Sequence, residues 1–547
     1  MIDTTDTTAP MQYDPPGPGS WLIDSCHVPR PWTRYQQELH EDALSSGFRQ
    51  MTRRYGLLID DLSWRFVNGL AYFAPSPAPE EQIPERFGNA ERLFAEKVWR
   101  EDQERWEHEL KPASVAAHRE LQAVDPAGLD TEALLAHLDR CREHQWRMVE
   151  QHHVMDGAAL LPVGDFLAQV TGWTGLPGAT VLALTRGCAP ESAGSCVELD
   201  RVLTVLRADD DARAALTADG DARAIVDRLR ALPGEAGEAV NDYLGTVGHR
   251  LLDSLDVGDP TLLEMPELIV ASLRAGLEGE APADAGDFEA QLAFVRDRVP
   301  AEQREAFDGL LAEVRLTYGI RDERGNFSEV WAGGIVRRVI LEAGARLAAA
   351  GRIDEAAHLL EADYAEMKDL IAGAGGPSAD ELAGRAALRA SYTAADAPPF
   401  LGLPPSPPPP LDGLPPAVAR AMGGIGVAID ALFAPSQAVS EATVVRGTGA
   451  SAGRYTGTAR LIAGPAELDR LQPGDVLVTP TTTEAFNVVL PLVGAIVTNA
   501  GGLLSHPAIV SREYGIPGVV GTIDATALIP DGATVEVDGD AGEVRVL

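Results

Sequence analysis

The sequence predicts a multidomain chain in which a mainly α-helical body is followed by a small C-terminal α/β domain. Three observations carry this reading. At 547 residues the chain exceeds what one hydrophobic core organises. Residues 88–375 show apolar spacings of helical period and few strand candidates. Beyond a proline-rich run at 397–416, β-branched segments alternate with turns around a single glycine-led helix. The expected divisions are an N-terminal arm (1–20), a helical body (21–395), a proline-rich linker with a short helix (396–440) and a C-terminal domain (441–547).

Composition narrows the chemistry. The formal charge of −37 argues against nucleic acid or an anionic membrane as partner. The first twenty residues lack the basic and apolar regions of a leader peptide, and an uninterrupted apolar run of about 18 residues is not found, so neither secretion nor a membrane span is expected. Cys26, Cys141, Cys188 and Cys196 show no CxxC spacing, which fits reduced thiols and a cytoplasmic protein, although Cys188 and Cys196 are close enough in sequence to pair. The only lysines are Lys97, Lys111 and Lys368, and none follows a glycine-rich loop. A P-loop is therefore excluded, and an ATP-grasp site would find little to supply its lysines.

In chain order, residues 1–20 are polar and Pro/Gly-rich, a draped arm. The segment SWLIDSCHVPRPWTRY carries His27, and Arg65–Phe73 alternates as a strand. Ala90–Glu109 reads as one amphipathic helix, and Thr131–Met155 as another with Thr131 as N-cap. His137, His144 and His152 share a face of the latter. They form either a packing face or a substrate-lining stripe; a metal site would want closer ligands, typically i and i+4, so no metal is expected. His249 and Arg250, at a helix end, offer a proton acceptor and a phosphate-binding fork, or else fasten two helices. In Arg321–Asp354, Arg338, Glu342 and Arg346 make an i, i+4 charge ladder. Pro398–Pro410 favours polyproline II, and Ala417–Phe433 a single helix.

The sharpest stretch is Ala495–Gly521, AIVTNAGGLLSHPAIVSREYGIPGVVG. It reads as strand, Gly501–Gly502 turn, helix capped by Ser505, and strand, with Gly515 ending the helix. His506 then sits at a helix N-terminus, whose amides and dipole attract anions and keep an imidazole neutral and nucleophilic. Such a ring can attack phosphorus and hold the phosphoryl group as a phosphoramidate. A generic strand–helix crossover with a chance histidine would present the same spacing.

The motif GGLLSHPAIVSREYGIPGVVG resembles the phosphohistidine motif of the swivelling domain in the PEP-utilising enzymes, the family of phosphoenolpyruvate synthase, pyruvate phosphate dikinase, rifampicin phosphotransferase and phenylphosphate synthase. The resemblance is strong over 441–547 and weaker over 21–375, where the Asp24–His27 segment, Gly248-His249-Arg250 and the Arg321/Glu323 pair resemble the family's substrate domain. It implies a phosphotransferase in which His506 is phosphorylated, Ser505 and the Gly501 and Gly502 amides hold phosphoryl oxygens, and Arg512 assists. His27, His144, His152, His249, Arg250 and Arg321 are the candidate acceptor-site residues. ATP and Mg²⁺ would act on a separate ATP-grasp partner, and a small-molecule acceptor, expected to be a hydroxyl, would bind the helical domain. The proline-rich linker is expected to carry the swivel. Two other readings stay open: a self-contained enzyme with a different phosphodonor, and a non-catalytic regulatory relative.

Overall fold

Asn68 and Gly69 both take positive φ, 53° and 80°, as a two-residue hairpin turn requires. The computed structural model therefore turns the chain back where one strand was expected. The N-terminal sheet comprises Ser20–Ile23 (β1), Ile59–Val67 (β2), Leu70–Pro77 (β3) and Phe400–Gly402 (β4), in the order β2-β3-β1-β4. The structure describes residues 11–192, 197–278, 288–433, 440–441, 443–483, 486–487 and 489–547. Cys196 and the first ten residues of the expected arm lie outside them.

The helical body is built around long, buried helices: Arg34–Arg54 (α1), Thr131–Val154 (α2), Asp156–Thr174 (α3), Ile320–Asn326 (α4) and Glu329–Ala349 (α5). α2 is capped by Asp130, whose carboxylate accepts the Ala133 N–H at 2.8 Å, so Thr131 is the first helical residue rather than the cap. Ala90–Glu109 is not one helix: Lys97 adopts the left-handed conformation (φ 55°) and ends the first piece, releasing its ammonium to Glu313 at 2.6 Å. Only part of the expected charge ladder forms, since Arg346 pairs with Glu342 at 2.8 Å while Arg338 donates to the carbonyls of Gln122 and Val124.

The helix Pro416–Phe433 (α6) decides where the domains divide. It crosses α3 at glycines: a Cβ on Gly164 would lie 2.0 Å from the Gly424 carbonyl oxygen. Arg420 adds a bidentate ion pair to Asp165 at 2.7–3.1 Å. α6 is thus part of the helical body, although among the described residues it is the one helix long and apolar enough to span a bilayer. The proline-rich stretch is held on both sides, by β4 pairing with β1 and by α6 on α3. It is therefore not the divider between domains that its composition suggested.

The C-terminal domain has the expected α/β character. Its strands are Val444–Arg446 (β5), Thr448–Ser451 (β6), Arg454–Leu461 (β7), Asp475–Thr479 (β8), Val493–Thr498 (β9), Gly518–Val520 (β10), Thr534–Asp538 (β11) and Glu543–Val546 (β12). They form one sheet in the order β5-β12-β11-β7-β8-β9-β10-β6, with β7 to β10 parallel. The helix His506–Tyr514 (α7) crosses from β9 to β10. One side of this domain shares a core with helices of the body: Leu268, Ile269 and Leu273 join Leu468, Phe486, Leu490 and Val510 in a single buried cluster.

Replacing Gly164 by leucine should drive α6 off α3. Overpacking of this kind costs about 1–3 kcal/mol, so urea unfolding of Gly164→Leu should show a lowered midpoint; an unchanged midpoint would refute the crossing.

Candidate active site

The loop ahead of α7 is shaped by its two glycines. Gly501 has φ +107°, and a Cβ there would lie 2.6 Å from Ser505 Oγ; at Gly502 it would lie 2.3 Å from the Ala431 carbonyl oxygen. With side chains absent, the loop lies on the C-terminal end of α6. Gly502 N–H donates to the Leu432 carbonyl at 3.0 Å and Leu504 N–H to that of Ala431 at 2.8 Å. Orphan carbonyls of one domain's helix are thereby satisfied by the other domain's loop. The Gly501 amide points to the Cys26 sulfur. The expected role of both glycine amides as a phosphoryl cradle is thus not what this arrangement shows, because each is already engaged at the domain seam. Ser505 occupies the N-cap position, but its hydroxyl donates to the Gly502 carbonyl at 2.7 Å instead of capping α7.

His506 opens α7. Its Nδ1 lies 2.8 Å from Thr482 Oγ1, and its Nε2 is buried with no hydrogen-bond partner among the described residues. If Nδ1 carries the proton and donates it to Thr482, the lone pair sits on Nε2, directed away from the helix. Thr482, the partner of His506 Nδ1, was not singled out by sequence reasoning; the run Thr481-Thr482-Thr483 was its only signal. The neighbouring Thr483 hydroxyl donates to the Leu252 carbonyl at 2.7 Å, which fixes this loop against the helical body.

Across the seam stand Asp24 and His27, with His27 Nδ1 2.9 Å from Asp24 Oδ2. The His27 ring meets Phe433, the last residue of α6, edge-on at 5.3 Å. The desolvation of His27 works against its charge, modestly since 45% of its side chain is exposed, and the Asp24 carboxylate outweighs it and holds the imidazole above its ordinary pKa. Burial, seconded by Asp24, pushes the Cys26 thiol up to about 12, so it is not a thiolate nucleophile. Arg321, on α4, is buried, and its Nε and Nη1 lack hydrogen-bond partners among the described residues. Arg512 lies elsewhere than expected: it donates to the Ala450 carbonyl at 3.2 Å and the Tyr318 hydroxyl at 3.0 Å, clasping α7 to the body.

The other predicted residues separate. His152 joins a buried cluster with His40, His153, Asp156 and Glu329; its Nδ1 is 2.8 Å from Glu329 Oε1. His144 does not: its Nε2 meets His118 Nδ1 at 2.9 Å, and His118 in turn reaches the Phe327 carbonyl, a core network that burial keeps uncharged. The histidine stripe of α2 is thus core packing at His144 and part of a buried polar cluster at His152. His249 and Arg250 diverge as well. Burial, with Arg338 and Arg230 nearby, lowers His249 to about 4. Arg250 lies over the Phe327 ring at 4.7 Å, near Glu191, with Nε and Nη2 buried and unpartnered among the described residues. Glu323 pairs with Lys111 and Trp106, not with Arg321. A separate 480 Å³ groove lined by Phe94, Trp173 and Glu313 has its charges paired, Glu313 with Lys97 and Arg100, and Arg420 with Asp165.

Two stretches of the chain match known families. Residues 471–542 match the mobile domain of PEP-utilising enzymes, and residues 154–331 match the fourth domain of rifampicin phosphotransferase. Over these stretches the chain resembles the PEP-utilising enzymes. Rifampicin phosphotransferase of Streptomyces sviceus is 27% identical over 337 residues, 59% of this chain and 36% of that protein. Chondramide synthase cmdD of Chondromyces crocatus is 26% identical over 571 residues, 96% of this chain but 14% of that protein. The probable phosphoenolpyruvate synthase of Archaeoglobus fulgidus is 44% identical over 101 residues, 18% of this chain and 13% of that protein. The chain thus spans well under half the length of these relatives.

The mobile-domain match runs over β8, β9, α7, β10 and β11. The Asp24–His27 pair yields a direct check. In Asp24→Asn the carboxylate that raises the His27 pKa is gone, so that pKa should fall. Proton NMR titration of the His27 ring reads this; an unmoved titration would remove Asp24 as the cause.

Proposed function

We propose that this chain carries a phosphoryl group on His506 from an ATP-grasp site, on a separate partner, to a hydroxyl-bearing small molecule held in the helical body. One observation carries the reading: His506 is fixed through Nδ1 by Thr482, while its Nε2 is buried at the seam with no partner among the described residues. A ring held for packing would have both nitrogens satisfied, since a buried unpaired polar atom costs about 1–3 kcal/mol.

Loading forms a bond from Nε2 to phosphorus as the donor's P–O bond breaks, and Mg²⁺ with ATP acts at the partner's site. Discharge occurs in the docked arrangement. The acceptor oxygen attacks phosphorus, the P–N bond breaks with its electron pair returning to Nε2, and the hydroxyl proton passes to a base. His27, backed by Asp24, is the group suited to take that proton in its neutral form, because its raised pKa makes it the stronger base. Arg321, whose charge acts on His27 and whose Nε and Nη1 lack hydrogen-bond partners among the described residues, is the cation suited to stabilise charge on a transferring phosphoryl group.

His506→Ala should abolish acid-labile labelling by Mg·ATP and the partner; labelling equal to wild type would refute the carrier role. Thr482→Val keeps the shape but removes the tautomer-fixing partner, and labelling should slow about tenfold, the equivalent of one hydrogen bond. Arg321→Gln should leave labelling intact and slow discharge roughly 10²-fold. A parallel loss of both half-reactions would instead mark Arg321 as a structural residue.

A further inference from the structure

Behind His27, helices α1, α2 and α5 bring His40, His153 and Glu329 together, their candidate donor atoms within 4.8 Å of one another. His40 and Glu329 are 0% and 3% exposed. Neither ring nitrogen of His40, neither oxygen of Glu329 and not the Nε2 of His153 has a hydrogen-bond partner among the described residues. The 2.8 Å approach of His152 Nδ1 to Glu329 Oε1 lacks hydrogen-bond alignment. So many buried, unpaired donors and acceptors in one place are costly unless something binds them.

Two further features indicate a cation. His153 Nδ1 lies 3.0 Å from the Asp156 carboxylate, which fixes its proton there and leaves the Nε2 lone pair for an ion. A carboxylate behind a ligating histidine is the usual outer shell of a metal site. The His40 ring is held edge-on by Trp32 at 5.0 Å and tilted against Trp64 at 5.3 Å, so its direction is set before any ion arrives.

We propose that His40, His153 and Glu329 bind a divalent transition-metal ion, of the zinc or cobalt type. Two imidazoles and one carboxylate suit such ions, whereas Mg²⁺ prefers an all-oxygen shell. Three protein ligands leave a coordination position open. Resting on the transfer reading above, that position takes an oxygen of the acceptor, so acceptors would be selected for a ligating hydroxyl near the group to be phosphorylated.

The test uses the full chain, stripped by a chelator and titrated with Co²⁺ and Zn²⁺, with no phosphoryl transfer involved. One equivalent of Co²⁺ should bind and give the visible band of low-coordinate cobalt, and Zn²⁺ should displace it and raise the thermal midpoint. Millimolar Mg²⁺ should not compete. His153→Gln and, as a near-isosteric second variant, Glu329→Gln should each weaken binding at least tenfold, and Asp156→Asn about 10–100-fold through the outer shell. His506→Ala should bind the ion like wild type, which separates this site from the carrier function. Absence of stoichiometric uptake by the folded chain, displacement by Mg²⁺, or equal uptake by both Gln variants would overturn the proposal.

Discussion

The contact on which the site depends is that between the last turn of α6 and the glycine loop ahead of α7. A helix C-terminus presents carbonyls that its own backbone cannot satisfy. Here those of Ala431 and Leu432 are taken up by the Leu504 and Gly502 amides of the other domain. The approach is possible only because Gly502 has no Cβ, which would sit 2.3 Å from the Ala431 oxygen. This one contact sets where α7 begins, hence where His506 stands, and sets Phe433 against His27 on the opposite wall. The negative end of α6 therefore faces the loop that precedes the positive end of α7, an arrangement favourable to both dipoles.

How far the sequence could be read was set by the range of each interaction. Local rules located α7, its start at His506 and its end at Gly515, because Gly, Ser-His-Pro and Gly each have a conformational reason to be there. They also located α6 and the C-terminal strands. Local rules failed where the decisive partner is distant. Thr482 is 24 residues from His506 and has no spacing signature. His40, His153 and Glu329 come from three helices, and only His153's neighbour on α2 attracted notice. Arg512 looked like a phosphate ligand from its place in the motif, yet its partners, Ala450 and Tyr318, come from elements that no periodicity connects to it.

The proline-rich stretch shows a different failure. Composition correctly says that Pro404–Pro410 forms neither helix nor sheet, and these residues are exposed. Composition does not say whether such a stretch separates two bodies or merely crosses the surface of one. The next element decides between these, and that element is α6, tied to α3 by the Gly164–Gly424 crossing and the Arg420–Asp165 pair. α6 accordingly belongs to the helical body.

A carrier of the proposed kind would have to leave its docked position. Undocking would break the two backbone hydrogen bonds to α6, the Arg512–Tyr318 bond, the Thr483–Leu252 bond and the salt-screened contacts around Glu513, and would expose the apolar seam formed with Leu268, Ile269 and Leu273. Each neutral hydrogen bond contributes only about 0.5–1.5 kcal/mol net, since water replaces it. The apolar area matters more, because water does not compensate it. In the proposed transfer a phosphoryl group on His506 would be the differential term, adding negative charge at the seam, where Arg321 Nε and Nη1 lack hydrogen-bond partners among the described residues. On that reading the loaded domain would be favoured in the docked position over the discharged one, and only such a difference in affinity between states could give a movement direction.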